Sequence, residues 1–142
     1  MKMAKTIKLE FDGYWREPNK GGVPSASGIY NVYTCVFNKE DKTVSLKKHV
    51  YTGESSDVKS RIADHEKQSD WEKHLKKGEV LCYAVAKVSS ADRVRAEAAI
   101  INKHKPPVNS EFVNSFPYET TTMELKGKTK FLKTNFTVYK EA

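Results

Sequence analysis

Cysteine is almost absent, and the two that occur make no metal-ligand spacing. Cys35 and Cys82 stand alone, with no CxxC pair. That excludes a zinc finger or zinc ribbon. Both sit in apolar, strand-like segments, NVYTCVF and VLCYAVA, and read as reduced core residues. A chain of 142 residues can bury an ordinary core without a disulfide. Long hydrophobic runs are also missing. No stretch is long enough to span a bilayer, and the N-terminus, MKMAKTIKLEF, has no apolar segment of signal-peptide length. The expectation is a cytoplasmic protein with no membrane partner. There is no internal repeat, no low-complexity segment and no helix-turn-helix pattern. What the chain does have is positive charge: 25 Lys and Arg against 18 Asp and Glu, a net +7 and a pI near 9.3. A positive field favours polyanions and argues against an acidic groove built for cationic substrates.

The pattern predicts a single domain over residues 1–142, with strands and helices in the order β-ββ-α-(α)-β-α-β-β. Thr6 to Phe11 alternates as a strand. The Gly-, Pro- and Ser-rich segment DGYWREPNKGGVPSAS reads as a surface loop pinned by Tyr14 and Trp15. Ile29–Phe37 and Thr43–Tyr51 form a predicted antiparallel hairpin around the polar turn Asn38–Lys42. Gly53 ends that hairpin. Ser55, Ser56 and Asp57 can cap a helix reaching about Lys67. A short helix is predicted over about Asp70 to Lys77, then a strand over Val80–Val88. Ser89 and Asp92 resemble a capping box for a helix ending near His104, before Pro106-Pro107. Thr120–Leu125 and Lys130–Tyr139 read as a hairpin turning at Lys126-Gly127-Lys128.

Several side chains stand out against this frame. On a helical wheel Glu97 falls inside an apolar stripe of Val94, Ala98, Ile100 and Ile101. A carboxylate there is costly unless it is paired or bound to a cation. The two readings are a salt bridge to Arg93 or a ligand for Mg²⁺ or Mn²⁺, for which one or two protein carboxylates suffice. Arg61 and His65, four residues apart, share one helix face. Together they suggest a guanidinium aimed at phosphate and an imidazole able to move a proton. Tyr30 and Tyr51, at opposite chain ends of the hairpin, come side by side in antiparallel pairing.

The set SGIYNVYTC, VYTGESSDVKSRIADHE and AEAAIINKHKPPVN resembles the GIY-YIG nuclease domain, from about Ser27 to Asn109. The first motif tyrosine is Tyr30, and the second motif is Tyr51-Thr52-Gly53, with threonine where the family has isoleucine. The segment between the motifs is longer than usual, which suggests a longer hairpin. The helix arginine matches Arg61, the following histidine His65, and a further histidine of some members His74. The metal-binding glutamate matches Glu97 and the late asparagine Asn109. The resemblance implies an α+β fold in which helices flank a small central antiparallel three-stranded sheet. Residues 1–26 and 110–142 would be extensions adding N- and C-terminal strands to a catalytic core over 27–109.

The implied activity is a metal-dependent endonuclease that hydrolyses DNA and leaves a 5′-phosphate and a 3′-hydroxyl. Glu97 would hold Mg²⁺ or Mn²⁺, with Asn109 supporting the site. Arg61 would neutralise charge on the phosphate, and Tyr30 would position or deprotonate water with help from Tyr51 and His65. Tyr30 and His65 stay alternative bases at this point. Arg61, Lys59, His74, Lys103 and Lys105 are expected to contact nucleic acid, with other lysines giving non-specific phosphate contacts. Three alternatives remain open on sequence: a non-catalytic nucleic-acid-binding module on the same scaffold, a protein-interaction domain, and an RNA-directed nuclease. A homodimer in which two sites cut two strands is a further arrangement, with the C-terminal hairpin as its contact.

Overall fold

A computed structural model describes residues 3–141. Its strands are β1 (Lys5–Arg16), β2 (Gly28–Asn38), β3 (Thr43–Ser55), β4 (Val80–Lys87), β5 (Thr121–Gly127) and β6 (Asn135–Val138). The helices are α1 (Val58–Ala63), α2 (Gln68–Glu72) and α3 (Ser90–His104). They follow one another in the predicted order. All six strands join one sheet in the order β3-β2-β4-β1-β5-β6. The β3-β2-β4 part is antiparallel, as expected for the small central sheet. The extra strands continue it: β1 pairs antiparallel with β4, and β5 runs parallel to β1.

Period-two alternation sorts the strand residues between two cores. On β4, Cys82, Ala84 and Ala86 join Ile7, Leu9, Phe11, Ile29 and the α3 residues Ala96, Ala99 and Ile100. Leu81, Tyr83 and Val85 face the other way, onto Val32, Val50, Val58, Ile62 and Trp71. Thus α3 covers one face of the sheet, while α1, α2 and the 3-10 turn Glu17–Gly22 lie over the other. Cys35 and Cys82 are free and buried. No helix among the described residues is long and apolar enough to cross a membrane.

Several boundaries differ from the sequence reading, each because a distant partner intervenes. Tyr14 and Trp15 belong to β1, which pairs with β4 as far as Arg16↔Cys82. Gly53 does not end β3, since Ser55 still pairs with Gly28. The first helix stops at Ala63 rather than near Lys67, and the next ends at Glu72. Ser89 is the N-cap of α3 but its side chain caps nothing: the Asp92 N–H donates to the Ser89 carbonyl at 3.1 Å, and the Asp92 carboxylate is held by Lys5 of β1 at 2.5 Å. Val94 is 39% exposed and lies outside the buried stripe, which takes in Arg95 instead. The C-terminal hairpin has a long connection over 128–134, not a tight turn, before the short β6.

Candidate active site

Both motif glycines are demanded by close approach. A Cβ on Gly28 would collide with the Ala86 carbonyl of β4, and one on Gly53 would overlap the ring and hydroxyl of Tyr30. The second glycine therefore opens the path by which the Tyr30 phenol crosses β3. That phenol reaches a pocket of about 300 Å³ also lined by Tyr51, Arg61, Glu97 and Asn109. Five side chains singled out in the sequence thus share one cavity. Tyr30 and Tyr51 lie with ring centroids 6.3 Å apart.

Glu97 comes from the sheet-facing side of α3 and is half-buried. No ion pair involves it among the described residues, and Arg93, its sequence-level candidate partner, instead bonds Glu54 and the Ser27 hydroxyl. Burial, with the Glu54 and Glu111 carboxylates nearby, pushes the Glu97 carboxyl up to about 8, while the Glu54 backbone N–H pulls weakly the other way. Among the described residues no three His, Cys, Asp or Glu side chains converge into a closed cage. The donor set still fits a hard cation that keeps much of its water: one half-buried, uncompensated carboxylate beside phenol oxygens in a polar cavity.

His65 is not on the same helix as Arg61. Helix α1 has ended by Asp64, and the chain swings the imidazole behind Tyr30, where it is 5% exposed. Trp71 packs on it with ring centroids 4.4 Å apart. Its Nε2 lies 2.8 Å from Tyr30 Oη, and its Nδ1 accepts the Lys67 backbone N–H at 3.1 Å. An Nδ1 that accepts carries no proton. Burial and the Arg61 charge hold the imidazole down near 4, so it is neutral at pH 7. The single ring proton is therefore on Nε2, and Nε2–H donates to Tyr30 Oη. The Tyr30 hydroxyl proton is left free to point into the pocket. Burial and the Tyr51 phenol raise the Tyr30 pKa, whereas Arg61 lowers it. Tyr51 is pushed up to about 12, by burial and then by the Glu97 charge.

Arg61 enters the pocket already engaged. Its two terminal nitrogens donate to the Glu66 carboxylate at 2.6 and 2.7 Å. That fork holds Glu66 down near 2. It uses two of the five N–H groups of the guanidinium and leaves the rest for an anion. The Asn109 amide, by contrast, uses one acceptor site and one N–H as a clamp on β3. Its oxygen accepts the Thr52 N–H and its nitrogen donates to the Thr52 carbonyl, both at 2.9 Å. It is thus a positioning residue that fixes the 106–109 segment beside Tyr51, where Val108 also donates to the Val50 carbonyl at 3.0 Å. Thr52 does more than pack: its hydroxyl donates to Asn31 at 2.6 Å and meets His49 at 2.8 Å.

The remaining expected contacts scatter. Lys59 and Lys103 are exposed on α1 and α3 and do not line the pocket. His74 is also outside it, its Nδ1 taken by the Lys48 ammonium at 3.0 Å. Lys105, at the left-handed C-cap of α3, donates to the Val113 carbonyl. Sequence reasoning missed Glu54, Glu66 and Glu111. The only signal was position: Glu54 follows Tyr51-Thr52-Gly53 directly, and Glu66 follows His65.

No curated protein and no solved structure matches the chain. The GIY-YIG catalytic domain matches residues 28–111, over half of the 142. The chain belongs to the GIY-YIG catalytic domain family, which is in general a family of endonucleases.

Proposed function

We propose that the protein is a metal-dependent endonuclease that hydrolyses phosphodiester bonds in DNA and leaves 5′-phosphate and 3′-hydroxyl ends. The observation that carries this is the uncompensated Glu97 carboxylate sharing a pocket of about 300 Å³ with two phenols and a guanidinium. Glu97 would hold a Mg²⁺ or Mn²⁺ ion, which when bound supplies Lewis-acid stabilisation of charge on the phosphoryl and leaving oxygens. Arg61 binds the phosphate through the donors that Glu66 leaves free and offsets the charge that builds there. Tyr30 orients the attacking water and, once its own hydroxyl proton has passed to solvent in the pocket, takes that water's proton as the phenolate. His65 is unsuited to that task while its Nδ1 is filled and its Nε2 proton faces Tyr30. It stabilises negative charge on the phenol oxygen by donating to it. Tyr51 completes the wall beside the water, and Asn109 holds β3 and the 106–109 segment in register. Exposed Lys59 and Lys103 add non-specific phosphate contacts, so affinity should fall steeply with salt.

The test is plasmid nicking by the purified protein with Mg²⁺, with Mn²⁺ and with EDTA, beside Glu97→Ala. Cleavage that needs the metal and disappears in Glu97→Ala supports the reading. Metal-independent DNA binding without cleavage, equal in both proteins, would replace it with a binding module. Matched DNA and RNA substrates separate the two nuclease classes.

A further inference from the structure

A cluster of positive charge lies away from the catalytic pocket. Between the end of β1 and the β2–β3 turn lies an open cleft of about 770 Å³. Arg16, Lys39, Lys42 and Lys128 line it, together with the aromatic rings of Tyr14 and Phe37. No carboxylate lines it. None of the four cations forms an ion pair with a carboxylate among the described residues. Glu40 and Asp41 share the turn with Lys39 and Lys42, but neither faces the cleft, and Asp41 accepts from the Asn38 amide at 3.2 Å. Four like charges gathered in one concavity without counter-charge attract a polyanion.

The cleft is also shaped in advance. The Arg16 guanidinium sits 3.7 Å above the centroid of the Phe37 ring, which restricts the long side chain before any ligand arrives. Next to it, Tyr14 and Tyr33 fix the 128–134 loop at Lys130. The Lys130 N–H donates to the Tyr14 hydroxyl at 3.2 Å, and the Tyr33 hydroxyl donates to the Lys130 carbonyl at 2.9 Å. This loop presents Phe131, 49% exposed, with the Lys130 ammonium 5.4 Å from its ring. Basic side chains held in place by aromatic rings are what grip a nucleic-acid backbone. Arg16 and Lys128 lie outside the matched segment 28–111, so the extensions build half of this surface.

Along β2 the chain runs from Tyr30 in the catalytic pocket to Phe37 in the cleft, about 23 Å at ~3.3 Å per residue. We propose that the cleft is a second nucleic-acid contact, holding the phosphodiester backbone away from the bond in the catalytic pocket. The proposal rests on the nuclease reading above.

It is tested with two triple variants of equal charge change. Lys39→Ala, Lys42→Ala and Lys128→Ala empty the cleft of its exposed lysines. Lys5→Ala, Lys8→Ala and Lys140→Ala remove three at the other end of β1. Binding of a fluorescent duplex of about 30 base pairs is followed by anisotropy in EDTA over a salt series, and nicking is followed with Mg²⁺. The cleft variant should bind roughly tenfold more weakly, and its log–log salt slope should be shallower by about 2 to 3. The control should stay within about twofold of the parent, and the nicking rate at saturating DNA should be unchanged in both. Equal losses in the two variants would overturn the cleft as a local contact. So would a cleft variant that binds and nicks like the parent, although the nuclease reading would then stand. A parent protein with no salt-dependent affinity for DNA would overturn both.

Discussion

One proton on His65 separates two mechanisms. With Nδ1 filled by the Lys67 N–H, the imidazole acts on Tyr30 as a donor. His65→Gln can keep an N–H in reach of the phenol, whereas His65→Ala cannot. The expected outcome is a loss of about tenfold or less in kcat for glutamine and about 10²-fold for alanine. Equal loss in both variants would make His65 the proton acceptor and displace Tyr30 from that role. Gly53→Ala makes a second, steric prediction. The added methyl overlaps the Tyr30 ring and hydroxyl, and the neighbouring atoms are an aromatic ring hemmed in by Tyr51 and His65. Tyr30 must move off its line into the pocket, and a shift of even ~1 Å in a reacting group costs about 10²-fold in kcat. Nicking should fall by that order while affinity for DNA in EDTA stays near that of the parent. Unchanged nicking would show that the phenol's path over the glycine is unimportant.

Secondary structure was most legible where local pattern and tertiary partner agree. The β-branched and aromatic run of β2, the strand β4 and helix α3 needed no distant information. Boundaries failed where a remote group outbid the local signal. Asp92 has the spacing for a capping box but lies under Lys5. His65 has the spacing to continue α1, yet its bond to Tyr30 and its packing on Trp71 draw the chain out of the helix. The candidate site followed the same rule. Tyr30, Tyr51, Arg61, Glu97 and Asn109 were found from motif and periodicity and share one cavity. The Arg61–Glu66 fork has no local signature, because it depends on where the chain turns after Ala63. Arg95 is the clearest omission. It is 3% exposed, and its guanidinium bonds the Thr121 hydroxyl at 2.7 Å and the carbonyls of Met3, Glu119 and Thr120 at 2.9 to 3.1 Å. One side chain thus ties α3 to both extensions. Arg95→Met keeps the length but takes the guanidinium donors away from the buried Thr121 hydroxyl and three part-buried carbonyls, at a cost on the order of 3 kcal/mol. Chemical denaturation should show that loss with little change in nicking at low temperature. A loss below about 1 kcal/mol would mean that the extensions hold without it.

The whole molecule carries a pH dependence set by buried histidines on both faces of the sheet. His65 is held near 4 by burial first, then by the charges of Arg61 and Lys67, with Glu66 opposing. His49, 9% exposed, is held near 3 by burial first and then by His104, with its backbone bond at Tyr51 opposing. Unfolded, both titrate near 6.5. Between 6.5 and the native values the unfolded chain binds more protons than the native one, so stability rises with pH there. It is complete above about 6.5 and is lost as pH falls toward 4. At ~1.4 kcal/mol per unit, each histidine removes on the order of 3 kcal/mol over that window. His49 gives the cleaner test, because it lies outside the catalytic pocket. The Thr52 hydroxyl donates to Asn31, so Thr52 Oγ1 accepts the His49 Nε2 proton, and a glutamine N–H can replace that donor. Melting temperatures of the parent and His49→Gln between pH 4 and 7 should therefore diverge. The variant should lose less stability toward acid, by a margin on the order of 3 kcal/mol at pH 4. Parallel curves would assign the acid loss to carboxylates and leave His49 a purely structural donor.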